Sequence, residues 1–419
     1  MKTKTKKASY GQVMQMPRAK HKNPPRPSRL FATIIRVMSH FDLKKVKFTC
    51  DNQAKETLKK GPCLILMNHS SFIDLEIASK IIYPRPYNIV CTSDGFVGKE
   101  WLMRAIGCIP TQKFVTDLTL IRDIKYALKK GNHVLMYPEA SYSFDGKATP
   151  LPRKLGALLK MLNVPVVTVI TKGAFAHDPL YNCLQKRKVK VSASAKVFAS
   201  AEEVQSLDTA VLDKRLDDEF SFDNFAWQYE NKIEITEPFR ADGLERILYK
   251  CPNCKTEGKM VGKGIEILCE HCGKRHILNV YGRLEALDGE TVFAHIPDWY
   301  NWQRECVKDE IAKGTYLLDT EVEIGMMVNY KAIYMVGSGR LTHDNTGFTL
   351  TGASGELNYK QGPLSSYSLY ADYYWYELGD IICIGNKDCL YYCFPKKQGV
   401  VSKTRIATEE LFKLTKNSR

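Results

Sequence analysis

The sequence predicts an α/β domain with a mixed sheet covered by helices, then a small cysteine-knuckle module and a β-rich C-terminal domain. Three patterns carry that prediction. Between residues 63 and 198, short apolar runs of strand character alternate with helical stretches, the succession that builds a sheet with helices on its faces. Cys251-Pro-Asn-Cys254 and Cys269-Glu-His-Cys272 form two C-x2-C knuckles with fourteen residues between them. From Glu321 onward, β-rich pieces separated by Gly, Asn and Asp turns precede a closing helix. A chain of 419 residues has room for two or three such units.

The formal charge is +15, and the first 41 residues hold ten Lys or Arg and no Asp or Glu. Most of the excess therefore sits at one end. Residues 1–28, with Lys2, Lys4, Lys6, Lys7 and the Pro24-Pro25 step, show no apolar period and are expected to be a disordered basic tail. They lack the apolar core of a signal peptide. Leu30, Phe31, Ile34, Ile35, Val37, Met38 and Phe41 then recur at helical spacing. The resulting amphipathic helix, over 29–44, suits a membrane surface behind a polybasic arm and equally a helix packed on its own domain. No uncharged apolar run approaches the roughly 18–20 residues that span a bilayer. The expectation is a peripheral protein in contact with membrane lipids, cytoplasmic and on the inner face of the cell membrane. Thirteen cysteines in a long chain without an export signal, four of them in a metal pattern, point to a reducing compartment.

Within residues 45–240 the predicted strands are 63–67, 87–92, 133–137, 164–170 and 188–198. Helices are predicted over 75–82, 99–106, 117–130 with Gly131 as the stop, and 153–162. The run Leu64-Ile65-Leu66-Met67 delivers Asn68 and His69 into a Ser70-Ser71 turn, and Ile73-Asp74-Leu75 opens a helix. A carboxylate five residues after a strand-end His can fold back on the imidazole. There it fixes the tautomer and supports the imidazolium, leaving the other nitrogen to take a proton. No Gly-x-Ser-x-Gly elbow occurs, so the pair suits a reaction in which the substrate's own hydroxyl attacks. An isolated H-x4-D is also what a surface His and a helix-capping Asp would give.

Three further blocks follow: Gly107-Cys108-Ile109-Pro110-Thr111-Gln112-Lys113, Tyr137-Pro138-Glu139-Ala140-Ser141, and Val164-Pro165-Val166-Val167-Thr168-Val169. In this order, after Asn68-His69-Ser70-Ser71-Phe72-Ile73-Asp74, they resemble the lysophosphatidate and glycerol-3-phosphate acyltransferase family. The resemblance covers about residues 45–240 and implies an acyl-CoA or acyl-carrier-protein donor and a glycerolipid acceptor. It implies His69 as general base, Asp74 as its orienter, and Lys113, Glu139 and Ser141 as substrate-binding residues. The Ser70-Ser71 amides are a candidate oxyanion hole. Two departures stand out. Lys113 replaces the Arg that usually ends the second block, losing the bidentate fork. The third block usually reads Glu-Gly-Thr-Arg and here reads Glu139-Ala140-Ser141-Tyr142, without the second phosphate-binding Arg. Either another cation stands in, with Arg153 and Lys154 the nearest in sequence, or the acceptor is not a simple phosphomonoester.

Cys251, Cys254, Cys269 and Cys272 match a structural Zn2+ ribbon over 241–285, with a hairpin between the knuckles and no open coordination position. Its Lys255, Lys259, Lys263, Lys274 and Arg275 suit nucleic acid, but its size and context favour a module docked on the enzyme or its partner, so nucleic acid is not the expected partner. Residues 286–419 read as a β-rich domain of about seven strands and a helix, similar to a PH-like or GRAM-like small barrel. Two functions follow: an acyltransferase acting on a lysophospholipid hydroxyl, or a degenerate acyltransferase serving as a nucleic-acid or protein-binding adaptor. The retained His69, Asp74 and Glu139 favour the first.

Overall fold

The computed structural model describes residues 3–417 apart from 116, 153, 154 and 398. Strand β1 (Thr5–Lys7) belongs to the C-terminal sheet. Strands β2 (Thr49–Asn52), β3 (Leu64–Met67), β4 (Tyr87–Thr92), β5 (Cys108–Thr111), β6 (His133–Met136), β7 (Val166–Lys172) and β8 (Ser192–Ala199) form one mixed sheet. Its order is β2-β8-β7-β3-β6-β4-β5. All pairings are parallel except β7 with β8. The mixed α/β architecture is therefore as predicted. β3 is buried along its whole length at the centre of the sheet, which is why its sequence is an unbroken apolar run. Leu64 and Leu66 face one apolar cluster, while Cys63, Ile65 and Met67 face another on the opposite side.

The sequence reading missed β5 because Pro110 interrupts it, and β5 lies on the sheet edge, where a missing N–H is tolerated. Helices 74–82, 118–129 and 155–162 lie close to their predicted positions, with the Asp117 side chain accepting from the Thr119 amide as N-cap. The helix beginning at Arg29 extends to Lys45 and packs against helix 74–82.

Four antiparallel strands form the small module: β9 (Met260–Lys263), β10 (Glu266–Cys269), β11 (Arg275–Leu278) and β12 (Leu284–Ala286). The expected hairpin is thus extended by two more strands. Helix 296–312 carries the module. The Trp299 indole donates to the Lys250 carbonyl (2.9 Å), and Gln303 bonds both the Lys250 amide (3.0 Å) and the Ile247 carbonyl (2.8 Å).

The C-terminal region is β-rich as predicted. Strands β13 (Leu318–Met327), β14 (Ile333–Asp344), β15 (Gly347–Gly352), β16 (Leu357–Gln361), β17 (Tyr370–Trp375), β18 (Gly379–Asn386) and β19 (Cys389–Pro395) run β16-β15-β14-β13-β19-β18-β17, and helix 400–417 follows. That helix is far longer than its apolar residues suggest, because Ser402, Thr404, Arg405, Thr408, Glu409 and Glu410 are buried on its inward face.

The basic N-terminal segment is ordered over its described residues, contrary to expectation. β1 pairs in parallel with Ile333–Met335 of β14, an edge that β15 leaves open. Val13 is fully buried in the C-terminal core. Composition marks this stretch as unable to make its own core; it cannot show that an open strand edge elsewhere needs backbone partners.

Candidate active site

His69 leaves the C-terminal end of β3, and both its flanks are tied down. The Asn68 side chain accepts from the Thr171 amide (2.7 Å) and donates to the Thr171 carbonyl (3.2 Å), locking the strand end to β7. The His69 backbone amide donates to Glu139 Oε1 (3.1 Å), reaching across to the segment after β6. Asp74 begins helix 74–82, and its Oδ2 lies 3.1 Å from His69 Nδ1. The same oxygen accepts from the amides of Ser70 (2.8 Å) and Ser71 (3.1 Å). A carboxylate oxygen can only accept, so Nδ1 carries the hydrogen and Nε2 keeps its lone pair. Burial holds the imidazole pKa below its ordinary 6.5, with Asp74 pulling the other way. The ring is therefore neutral and basic at neutral pH.

The imidazole is stacked between two tyrosines, Tyr137 at 3.9 Å and Tyr142 at 4.0 Å between ring centroids. Its side chain is 17% exposed. Exposed Phe72 lies beside Tyr142 at the rim. Tyr142 holds the position where the resembled family has its second Arg, so an aromatic wall replaces that charge.

The other sequence-predicted residues are brought into the same region with altered partners. Both Glu139 oxygens are taken by backbone amides, those of His69 and Thr149 (2.7 Å), and burial pushes its pKa up to about 7. It braces the His69 loop against the third block through those two amides. The Ser70 and Ser71 amides are likewise spent on Asp74, so the expected oxyanion hole is not available in this arrangement. Lys113 is half-buried, with its ammonium 4.3 Å from the Tyr370 ring centroid and 5.8 Å from that of Tyr142. Burial lowers its pKa, opposed chiefly by Asp372 and Asp94. Arg153 and Lys154 lie outside the described residues.

Ser141 introduces a cation that sequence reasoning missed. Its Oγ accepts from Arg405 Nη2 at 2.9 Å. Arg405 comes from the C-terminal helix, is 4% exposed, and also donates to the Tyr142 carbonyl (3.4 Å) and Thr149 Oγ1 (3.3 Å). Glu409 pairs with its Nε at 3.3 Å. A second cross-domain contact lies beside Lys113. Asp94, buried in the acyl-domain turn 93–96, accepts from the Trp375 indole (3.2 Å) and from the Tyr370 hydroxyl. Tyr137 and Tyr142 had a local signal, since they flank the Pro-Glu block. Arg405, Asp94 and Asp372 had none.

The four knuckle cysteines converge, with all Sγ atoms within 4.8 Å of one another. Cys251 and Cys272, and Cys254 and Cys269, are 3.7 Å apart. A tetrahedron with Zn–S bonds of about 2.3 Å has edges of about 3.8 Å, so the donor set fits Zn2+. His276 is not part of it: the ring is buried edge-on to Trp299, and burial lowers its pKa to about 4.

The site thus brings a strand-end His, its Nε2 lone pair free of Asp74, against a buried carboxylate. Residues 47–172 match the Acyltransferase family model. That stretch lies within the one over which the four blocks resemble the acyltransferase family. The chain is 26% identical over 132 residues to the chloroplastic 1-acyl-sn-glycerol-3-phosphate acyltransferase BAT2 of Brassica napus, covering 30% of this chain and 38% of that protein. It thus spans well under half the length of that curated relative. A partial structural likeness, with a TM-score of 0.34 and 18% identity, links 46% of this chain to 81% of the 1-acyl-sn-glycerophosphate (LPA) acyltransferase PlsC from Thermotoga maritima. That overlap is too loose to bear on function.

Proposed function

We propose that this protein is an O-acyltransferase that moves a fatty acyl group from acyl-CoA or acyl-carrier protein to a hydroxyl of a 1-acylglycerol-3-phosphate-like lysophospholipid. The carrying observation is the His69–Asp74 contact at the end of the central strand, inside the family-matched segment. In this reading His69 Nε2 takes the acceptor hydroxyl proton as the oxygen attacks the thioester carbonyl. The tetrahedral intermediate expels the thiolate, and the imidazolium returns the proton to sulfur. Asp74 stabilises the imidazolium between those steps. The stacked tyrosines keep the imidazole edge-on to the reacting atoms and shield it from water. Lys113 is the phosphate-binding candidate, with Arg405 the cation nearest the third block that lacks its own Arg.

Cys251, Cys254, Cys269 and Cys272 would hold a structural Zn2+, which contributes fold stability and leaves no position open for substrate. The domain division we favour is 45–240 for catalysis, 241–285 for the ribbon and 286–419 for a PH-like or GRAM-like domain, a reading supported by seven antiparallel strands and a closing helix. Among the described residues no helix is long and apolar enough to cross a membrane. Helix 29–45 exposes Leu30, Ile34, Val37, Met38 and Phe41, which supports peripheral attachment at the inner face of the cell membrane.

The test is transfer of labelled acyl groups from acyl-CoA and acyl-carrier protein to a lysophospholipid panel by the full chain and by His69→Ala. Product formation that depends on His69 is the expected result. Product formed equally by both proteins, or by neither on any acceptor, would mean the adaptor function instead.

A further inference from the structure

At the opposite end of the parallel sheet from His69 lies a cleft of about 450 Å³. It opens where β4 and β6 begin, at Tyr83–Pro86 and Lys130–Asn132, whereas the catalytic loops follow the strands' other ends. The length of β6 alone, roughly 13 Å at about 3.3 Å per residue, separates the two. Arg26, Arg29, Arg85 and Lys130 line the cleft, and no Asp or Glu does. Arg85 is partly engaged by the Lys59 carbonyl. Among the described residues no carboxylate pairs with Arg26, Arg29 or Lys130.

The wall that bears the two N-terminal arginines is fixed. The Ser28 amide donates to the Ala105 carbonyl (2.9 Å), and Asn88 Nδ2 donates to the Pro25 carbonyl (3.1 Å). Pro27 packs onto Gly107, which has φ +93° and where a Cβ would lie 2.6 Å from the proline ring. Only glycine permits that approach. Arg26 and Arg29 are thus held beside the cleft by pinned backbone.

Helix 29–45 starts at this cleft and runs about 25 Å from it at 1.5 Å per residue. Its exposed apolar side chains begin at Leu30, next to Arg29, and Trp101 adjoins them, 69% exposed with its ring 6.3 Å from Phe31. Concentrated positive charge at the head of an apolar stripe matches a phosphate headgroup joined to acyl chains. We infer that this cleft binds the phosphate of an anionic membrane phospholipid, one that is not being acylated, with its chains lying along helix 29–45. The site deepens the membrane-surface reading above and rests on it.

Sedimentation of the full chain with vesicles of phosphatidylcholine alone, and of phosphatidylcholine with phosphatidylglycerol or phosphatidate, tests the site. The variant is Arg26→Gln/Arg29→Gln/Lys130→Gln. The charge-matched control is Lys259→Gln/Lys263→Gln/Lys360→Gln, all exposed and away from the cleft. The cleft variant, with three charges removed, is expected to lose about a hundredfold in partitioning onto anionic vesicles. It should keep its binding to neutral vesicles and its activity on a short-chain, water-soluble acceptor, while the control loses far less. Equal loss in both variants means diffuse charge and overturns the site. Displacement of the wild-type protein by millimolar inorganic phosphate, to the level of the cleft variant, assigns the cleft to free phosphate and overturns the lipid. If the wild-type protein binds no vesicle at all, the membrane reading falls and takes this site with it. Wild-type binding that ignores lipid charge overturns the site alone.

Discussion

Replacing Asp74 by Asn separates a catalytic carboxylate from a helix-capping one. The Asn carbonyl can still accept from the Ser70 and Ser71 amides, so the loop and the first turn of helix 74–82 keep those bonds. What disappears is the negative charge 3.1 Å from His69 Nδ1. Between unit charges at that distance, with an effective dielectric constant of about 20, the attraction is about 5 kcal/mol. A neutral carbonyl acceptor restores about 1 kcal/mol of it. The difference falls on the imidazolium-bearing transition state and corresponds to roughly a thousandfold loss in kcat. The measurement is initial-rate kinetics of acyl transfer, alongside urea unfolding of both proteins to show that the variant is folded. A folded Asp74→Asn protein with more than a tenth of wild-type kcat, beside an inactive His69→Ala, would reduce Asp74 to a structural cap.

Because burial depresses the His69 pKa, the acid limb of kcat/KM should be centred below pH 6.5, where Nε2 takes a proton and ceases to be a base. An acid limb centred above pH 7 contradicts this assignment. Metal analysis should give one Zn2+ per chain, and Cys269→Ser should lower the unfolding midpoint of the ribbon without changing the kcat of the protein that remains folded. A zinc content near zero in protein purified without chelator removes the metal site. Arg405→Met should destabilise the chain by about 1–3 kcal/mol, because Ser141, Thr149 and the Tyr142 carbonyl lose their buried donor while Glu409 keeps Arg304 at 2.8 Å, and should lower kcat by loosening Tyr142 against His69. Denaturant unfolding and kinetics on the same preparation check both, and an unchanged unfolding midpoint contradicts the contact.

The His69–Asp74 contact and the convergence of the four cysteines were legible in the sequence because each is local. Five residues separate His69 from Asp74, and each knuckle spans four, so spacing alone constrains geometry. The central strand was legible for a related reason: burial on both faces leaves an unbroken apolar run from Leu64 to Met67. Glu139 was legible but its two backbone partners were not, since a motif marks a residue as fixed without saying which amides its oxygens meet. The order of the N-terminal arm was hidden because its stability comes from β14, more than 300 residues away. The full length of helix 400–417 was not legible because polar side chains on its buried face mask the apolar period.

Those same buried polar groups give the C-terminal domain a reason to stay docked. Arg405 is 264 residues from Ser141, and Trp375 is 281 from Asp94, so no local pattern could announce either contact. Both put a charge of one domain among hydrogen-bonding groups of the other. Separating the domains would leave buried donors and carboxylates to be resatisfied by water, and a slipped register would leave them unpaired, which costs more than losing apolar contact of similar area. A purely apolar interface could slide; this one engages Asp94 Oδ2 and Arg405 together. Since Arg405 bonds Ser141 and the Tyr142 carbonyl, that docking also sets where Tyr142 meets the His69 ring. The placement of the base therefore depends on a domain outside the family-matched segment, and substitutions along helix 400–417 should alter transfer rates while leaving the H-x4-D loop itself untouched.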